Sequence, residues 1–527
     1  MRDASHFLGF SKATLAAGVL AAGFAGCTAH SVGPPADAGR GSPTGGTGGA
    51  DPPAGPDASA GKGGSGGAGG NPDVGGSAGS TSKGGSSGSG AAAGTSGAAG
   101  TGGSAGGAAG NGGTSGASGR GGAGTSGAAG ARDAGSAGNG GAIDAGSDGS
   151  AGRPDGGPSD AGGKSFVHPG VLVNKGMLDF VKAKIASGAE PWKTALARAT
   201  SNALGSKSYV PHPFVTVDCG SYSNPDNGCT EEKNDANAAY TQALLFYYTG
   251  DVAYAQKAIE IMNAWSAVLK DHTNTNAPLQ AAWAAESFPR AAEIIRYAGA
   301  GWADADVAQF AKMLKDVYLP KLIDGSSSNG NWELSMIEAV IHIGIFNDDR
   351  ATFDKGVAMW RERVPSYVYI ASDGPTPVPP PRGTKTGAAL ISFWYGQSMM
   401  MDGLSQETCR DLGHVQYGLA AMLNAAESAA IQGVDLHAEQ ANRIAAALEF
   451  HAKFINGAAV PATLCTGALT AVTADPMWEI GYNAYAARLG RALPETQMVI
   501  QAIRPTSVDH HMAWETLTHA EIGKAGF

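Results

Sequence analysis

Gln406-Glu407-Thr408-Cys409-Arg410-Asp411-Leu412-Gly413-His414-Val415-Gln416-Tyr417-Gly418-Leu419 opens a helical pattern that runs to about Ile431. Residues three and four apart on a helix are neighbours, so positions 407, 410, 414 and 417 fall on one stripe. That stripe carries a carboxylate, a guanidinium, an imidazole and a phenol. A helix serving only to pack would be apolar there, so this one reads as a helix that faces a site.

The surrounding chain is helical too. Apolar residues recur at helical period near 175–187, 191–202, 234–248, 252–270, 278–297, 305–318, 333–345, 350–363, 387–401, 436–455, 476–489 and 494–502. Strand signal is confined to short pieces such as Phe214-Val215-Thr216-Val217. Helices paired by short turns predict an all-α fold, with helical hairpins curled into an α/α toroid (an incomplete barrel) around a groove lined by helix ends and loops. A helical-repeat solenoid would show a fixed period, and none is visible.

That fold applies only from about residue 165 to 527. Of the 81 glycines in the 527-residue chain, most lie in the first third. Residues 28–164 are Gly, Ser, Ala and Pro with scattered Asp, too poor in large apolar groups to offset the entropy of ordering. The segment reads as a disordered linker with a root-mean-square reach of roughly 60–70 Å. Ahead of it, Arg2 and Lys12 precede a short apolar run, Ala13 to Phe24, that ends in Phe24-Ala25-Gly26-Cys27. The run is short for a membrane span and fits an export signal. Small residues before Cys27 resemble a bacterial lipobox, which predicts a signal peptide over 1–27, lipidation of Cys27, and a lipid-anchored protein of the outer membrane facing the periplasm or the cell surface. A net charge of −10 argues against a nucleic-acid partner.

Without Cys27 four cysteines remain, an even number in an exported domain, which favours two disulfides. Cys219 and Cys229 flank a loop-like stretch and could close a short ring; by elimination Cys409 then pairs with Cys465. No CxxC spacing supports a metal. Asp509-His510-His511 looks metal-like but lacks further ligands at useful spacing, so no metal and no cofactor is expected.

Several motifs, in order along residues 166–527, resemble the alginate lyase family: His168-Pro169-Gly170, Pro191-Trp192, Asn331-Trp332-Glu333, Ser372-Asp373-Gly374, the stretch from Glu407 to Gly418, and Trp514-Glu515-Thr516-Leu517-Thr518-His519. The resemblance implies an α/α toroid that cleaves a uronate-containing polysaccharide, alginate foremost, by β-elimination. It places Asn331, Arg410, His414 and Tyr417 in the catalytic roles. One set of groups neutralises the uronate carboxylate, a base removes the C5 proton, and an acid protonates the leaving oxygen.

The residue types agree with those roles. Asn331 stands at the start of a helix, where free N–H groups and the macrodipole favour an anion. Arg410 precedes Tyr417 by two helical turns, and a nearby cation favours the phenolate that a tyrosine base requires. His414 lies between them, able to hold the carboxylate or to act as base for the other C5 epimer. Further substrate contacts are expected from Trp283, Arg290, Trp332, Arg382 and Glu407, with Glu407 orienting its neighbours. Glu286, Arg296 and Lys385 are weaker candidates. Trp478, Tyr482, Tyr485 and His342 read as core. The expected partner is an anionic polysaccharide bound by a monomer. The alternatives are a glycan-binding lipoprotein without catalysis and a glycoside hydrolase. A hydrolase needs two carboxylates about the bond, and only Glu286, Glu333 and Glu407 are attractive.

Overall fold

The computed structural model describes residues 165–221, 223–470 and 472–524. The signal peptide, Cys27 and the linker over 28–164 lie outside the described residues. The described chain is helical almost throughout. It starts with α1 (Lys175–Ala186) and α2 (Trp192–Ser201), then α3 (Cys229–Thr249) and α4 (Val252–Val268), which form a hairpin. Gly250 turns that hairpin at a φ of 73°, a left-handed conformation that suits glycine. Next come α5 (Ala277–Tyr297), α6 (Asp304–Met313), α7 (Leu319–Leu322), α8 (Gly330–Phe346) and α9 (Arg350–Tyr367). The remainder is α10 (Gly387–Phe393), α11 (Leu412–Ile431), α12 (Leu436–Glu439), α13 (Ala441–Ile455), α14 (Trp478–Tyr482), α15 (Pro494–Ile503) and α16 (Glu515–His519).

The packing order closes on itself. α3 packs on α5, α5 on α8, α8 on α11, α11 on α14, α14 on α16, α16 on α1, and α1 on α3. Outside this succession α4 backs α3 and α5, while α9 backs α8 and α11. This is the expected all-α toroid. Its central helices are enclosed by neighbours: every residue of α8 from Glu333 to Phe346 is buried, the polar Glu333, Glu338 and His342 among them, so α8 is covered all round rather than along one stripe. Two large apolar clusters result. One surrounds Trp265 and Phe288, the other Trp360 and Trp478. Among the described residues no helix is long and apolar enough to cross a membrane.

Strands are short. β1 (Thr216–Cys219) pairs antiparallel with β2 (Asp226–Asn227) and parallel with β3 (Asp271–Thr273). β4 (Val508–Asp509) and β5 (Met512–Ala513) form a small hairpin near the C-terminus. Both expected disulfides are formed, Cys219–Cys229 and Cys409–Cys465.

Two helix expectations near the site need correction, and the helix expected over 436–455 is broken at Gln440 into α12 and α13. α11 begins at Leu412, not Gln406. Asp411 is its N-cap, with its side chain accepting from the His414 N–H at 2.8 Å, which satisfies one of the donors a helix start leaves free. Upstream of it, residues 405–410 run as turns. The Gln406 N–H donates to Tyr367 O at 2.7 Å, and Ser405 bridges to Val368. Glu407 and Arg410 therefore precede the helix, and the four-residue stripe does not exist. Similarly, 387–401 is helical only to Phe393, because Tyr395 and Gly396 turn the chain at φ of 54° and 80°.

Candidate active site

The turn before α11 meets the start of α8. Asn331 lies in the first turn of α8 and is buried. Its backbone N–H donates to Glu407 Oε2 at 2.9 Å and its side-chain Nδ2 to Glu407 Oε1 at 2.6 Å. Arg410 Nη1 donates to the same Oε1 at 2.9 Å. One fully buried carboxylate thus holds Asn331 and Arg410 together, and it fills the anion-favouring end of α8 from within. Neighbouring Gly330 donates its N–H to Gln406 Oε1 at 2.9 Å. Tyr367 lies so close to Gly330 and Gly418 that a Cβ on either would fall within 2.2 Å of its side chain. Those two glycines let α8, α9 and α11 converge here. Cys409 anchors the turn through its bond to Cys465.

Arg410 also lies 4.0 Å from Asp411, and its side chain keeps 21% exposure. Burial alone would lower its pKa, but Glu407, Tyr395 and Asp411 outweigh that and raise it. Asp411 in turn holds His414. The His414 Nδ1 lies 2.7 Å from Asp411 Oδ2, which puts the proton of a neutral imidazole on Nδ1 and leaves the Nε2 lone pair as acceptor. Burial alone would raise the Asp411 carboxyl; hydrogen bonding and charge from His414, with Arg410, hold it below the usual range.

One turn further along α11, Tyr417 is partly exposed. Trp283 of α5 meets it nearly edge-on, with ring centroids 6.4 Å apart. The Tyr417 phenol is pushed well above its ordinary value, by burial first and then by Asp509, Asp475 and Asp411. This corrects the expected role of Arg410. That guanidinium is spent on Glu407 and Asp411, and carboxylates dominate around the phenol. Asp475 itself is raised to about 7 by burial and by its Asp509 and Asp411 neighbours.

The structure adds one residue to this group. His510, in the turn between β4 and β5, places Nδ1 3.3 Å from the Tyr417 hydroxyl and 2.6 Å from Asp509 Oδ1. Its ring lies 4.7 Å from Trp283. In the sequence it stood out only as half of a histidine pair resembling a metal motif, far along the chain from Tyr417.

The other expected contacts divide. Trp283 and Trp332 are partly exposed beside Tyr417 and Asn331 respectively. Arg382 is half-buried and bound to Glu333 and to Asp324 O. Arg290 is fully buried, bound to Glu338 and to His511 O at 2.6 Å, so it holds the interior together and does not reach a ligand. Glu407 likewise orients its neighbours from a fully buried position. Lys385 lies over the Phe393 ring, and Arg296 donates to Phe346 O at 3.1 Å. Trp478, Tyr482, Tyr485 and His342 belong to the core. The acids considered for hydrolysis, Glu286, Glu333 and Glu407, are all fully buried.

Glu286, Glu338 and His511 bring potential ligand atoms within 4.8 Å of one another. Arg290 already supplies the cation there, through Glu338. Glu286 is pushed far up, by burial and then by Glu338, and His511 is lowered to about 3 by burial and Arg290. Burial and the neighbouring Glu338 thus favour the neutral form of Glu286, while Arg290 pairs with Glu338.

Other motif residues also serve the frame. Glu515 caps α14, accepting from the N–H groups of Glu479 at 2.9 Å and Ile480 at 3.2 Å. Asp373 takes both terminal nitrogens of Arg443, at 2.6 and 2.7 Å.

Residues 212–460 match the family model described as alginate lyase. No curated protein matches the chain. Among solved structures, the chain is similar to alginate lyase A1-III from Sphingomonas species A1, at 15% identity and a TM-score of 0.48, over 68% of this chain and 97% of that one. It is similar to a substituted form of A1-III complexed with tetrasaccharide, at 15% identity and a TM-score of 0.47, over 67% and 95% of the two chains. It is also similar to an alginate lyase from Bacteroides ovatus, at 14% identity and a TM-score of 0.45, over 67% and 100%. Residues 212–460 form an alginate lyase family domain, and the protein is a polysaccharide lyase.

Proposed function

We propose that this lyase cleaves a uronate-containing polysaccharide, alginate foremost, by β-elimination between α8, α11 and the β4–β5 turn. The observation that carries the reading is the shared Glu407 carboxylate, which holds the Asn331 amide and the Arg410 guanidinium side by side. Two fixed donors, one of them cationic, suit the planar carboxylate of a uronate. Drawing charge onto that carboxylate makes the C5 proton more acidic. Tyr417, as phenolate, removes the proton and then returns it to the leaving O4 when both lie on one face of the sugar. His414, with Nε2 as acceptor, is placed to add to carboxylate binding once protonated, or to act as base for the opposite epimer. Trp283 and Trp332 offer faces for sugar rings, and Arg382 lies at the rim.

The same proposal extends to the whole chain. Residues 1–27 act as a lipoprotein signal, Cys27 carries the lipid, 28–164 form a tether, and 165–527 form the catalytic domain. The tether gives an enzyme anchored at the outer membrane reach into polymer. The test is incubation with polymannuronate, polyguluronate and polyglucuronate, following the ultraviolet absorbance of the unsaturated uronate. A lyase of this kind produces that signal, and Tyr417→Phe lowers it by roughly 10²-fold or more. New reducing ends without the signal would mean hydrolysis, and binding with neither would mean a glycan receptor.

A further inference from the structure

A tyrosine base needs a positive charge nearby, and Arg410 is committed elsewhere. The groups facing the Tyr417 phenol are Asp411 and His414 from α11 and its cap, Asp475 from the segment before α14, and Asp509 and His510 from the β4–β5 turn. Three of these are carboxyls. The opposing charge arrives by a different route. Lys233 of α3 places Nζ 3.4 Å from His510 Nε2, while His510 Nδ1 faces Asp509 and the Tyr417 oxygen. An ammonium has donors only, so Nε2 is the acceptor and Nδ1 carries the imidazole proton. The result is a line from ammonium through imidazole to one N–H that faces two acceptors, Asp509 Oδ1 at 2.6 Å and the Tyr417 oxygen at 3.3 Å, and the phenol oxygen gains its claim on that N–H when it becomes phenolate.

The turn that holds His510 is tied from several sides. Asn237 Nδ2 donates to His510 O at 2.6 Å. The next residue, His511, donates through Nε2 to the backbone oxygen of Tyr417 at 3.1 Å, and its own carbonyl accepts from Arg290. Adjacent histidines therefore grip one tyrosine by its side chain and by its backbone. His510 has a φ of 47°, left-handed for a non-glycine residue, a strained conformation that persists only where the surroundings enforce it.

We infer that His510 is a further catalytic residue and Lys233 its positioning partner, together delivering the positive charge that makes Tyr417 a base. This rests on the β-elimination reading. In the resting site the Tyr417 O–H bond is intact. On activation that bond breaks, the proton passes to water, and the phenolate oxygen accepts from His510 N–H. The phenolate then takes the C5 proton. The C5 electron pair forms the C4–C5 double bond as C4–O4 breaks, and O4 receives the proton from Tyr417, which restores the phenolate.

The test compares Lys233→Met, Lys233→Arg and His510→Gln in the full chain with polymannuronate, polyguluronate and polyglucuronate. Removing the charge or its relay moves the rising limb of kcat against pH upward by about one unit, so kcat near neutrality falls roughly tenfold and recovers at higher pH. Lys233→Arg keeps the wild-type limb. A second readout needs no turnover: tetranitromethane attacks phenolate, and mass spectrometry reads its rate at Tyr417. That rate drops about tenfold in Lys233→Met and His510→Gln at equal pH. An unmoved limb or an unchanged nitration rate overturns the inference. Slowed nitration in a protein whose wild type releases no unsaturated product leaves the charge relay standing and overturns the elimination chemistry instead.

Discussion

Replacing Glu407 with glutamine probes the join on which the site is built. The side chains have nearly the same shape, so packing is preserved while the charge is lost. Glu407 accepts three hydrogen bonds, two from Asn331 and one from Arg410. Asn331 donates to both carboxylate oxygens, so whichever way a glutamine amide turns, its nitrogen presents a donor toward an Asn331 donor and only one oxygen is left to accept. Removing one partner of a buried ion pair costs about 3–5 kcal/mol. Arg410 retains some exposure and has Asp411 at 4.0 Å, so the lower end, about 3 kcal/mol, applies. For a folded unit of roughly 360 residues the unfolding entropy is about 0.75 kcal/mol/K, and the Tm falls by about 4 °C. The loss of activity should be far larger. Once Arg410 and Asn331 are no longer fixed on one oxygen, a displacement of about 1 Å costs roughly 10²-fold. Calorimetry and the unsaturated-uronate assay read the two effects. A variant with wild-type kcat/KM and an unshifted Tm would refute the positioning role of Glu407.

Removing the Cys409–Cys465 bond with Cys409→Ser and Cys465→Ser opens a loop spanning a sequence separation of 56. The chain-entropy model sets the loss at up to about 4 kcal/mol, and denaturant unfolding with and without reductant should show it together with weaker activity. His168, wedged between Glu293 and Asp348, is raised from 6.5 to about 9, since Asp348 and Glu293 outweigh the lowering by burial. A raised folded-state value contributes stability that is complete below 6.5 and lost as the pH climbs through about 9. Melting curves across that window should show the advantage of wild type over His168→Gln shrinking with pH.

Much of the frame was legible because it follows from local pattern. The helical period marked the central helices, and even Pro289 inside α5 did not break the reading. Tertiary partners defeated the rest. Nothing in Gln406 to Arg410 forbids helix; that stretch turns because Tyr367 and Ser405 claim its backbone and Asp411 supplies a better start three residues before His414. α3 begins at Cys229, ahead of the expected Asn234, since Asp226 Oδ1 accepts the N–H groups of Cys229 and Thr230, each at 3.2 Å. Within the site, residue types singled out Asn331, Arg410, His414 and Tyr417, but not what each touches. Arg290 looked like a ligand contact because a guanidinium is usually exposed, whereas Glu338 and the His511 carbonyl bury it. His510 carried only the misleading signal of a metal-like histidine pair, because its meaning depends on the fold bringing residues 93 apart into contact.

That last contact has a bearing on the order of synthesis. α3, α5 and α11 emerge from the ribosome well before residues 508–513, yet the turn those residues form completes the surroundings of Tyr417. A growing chain can assemble most of its helices while the phenol still lacks His510 and Asp509. A chain that lacks residues 508–513 lacks the His510 and Asp509 neighbours of Tyr417, whatever helices it has formed.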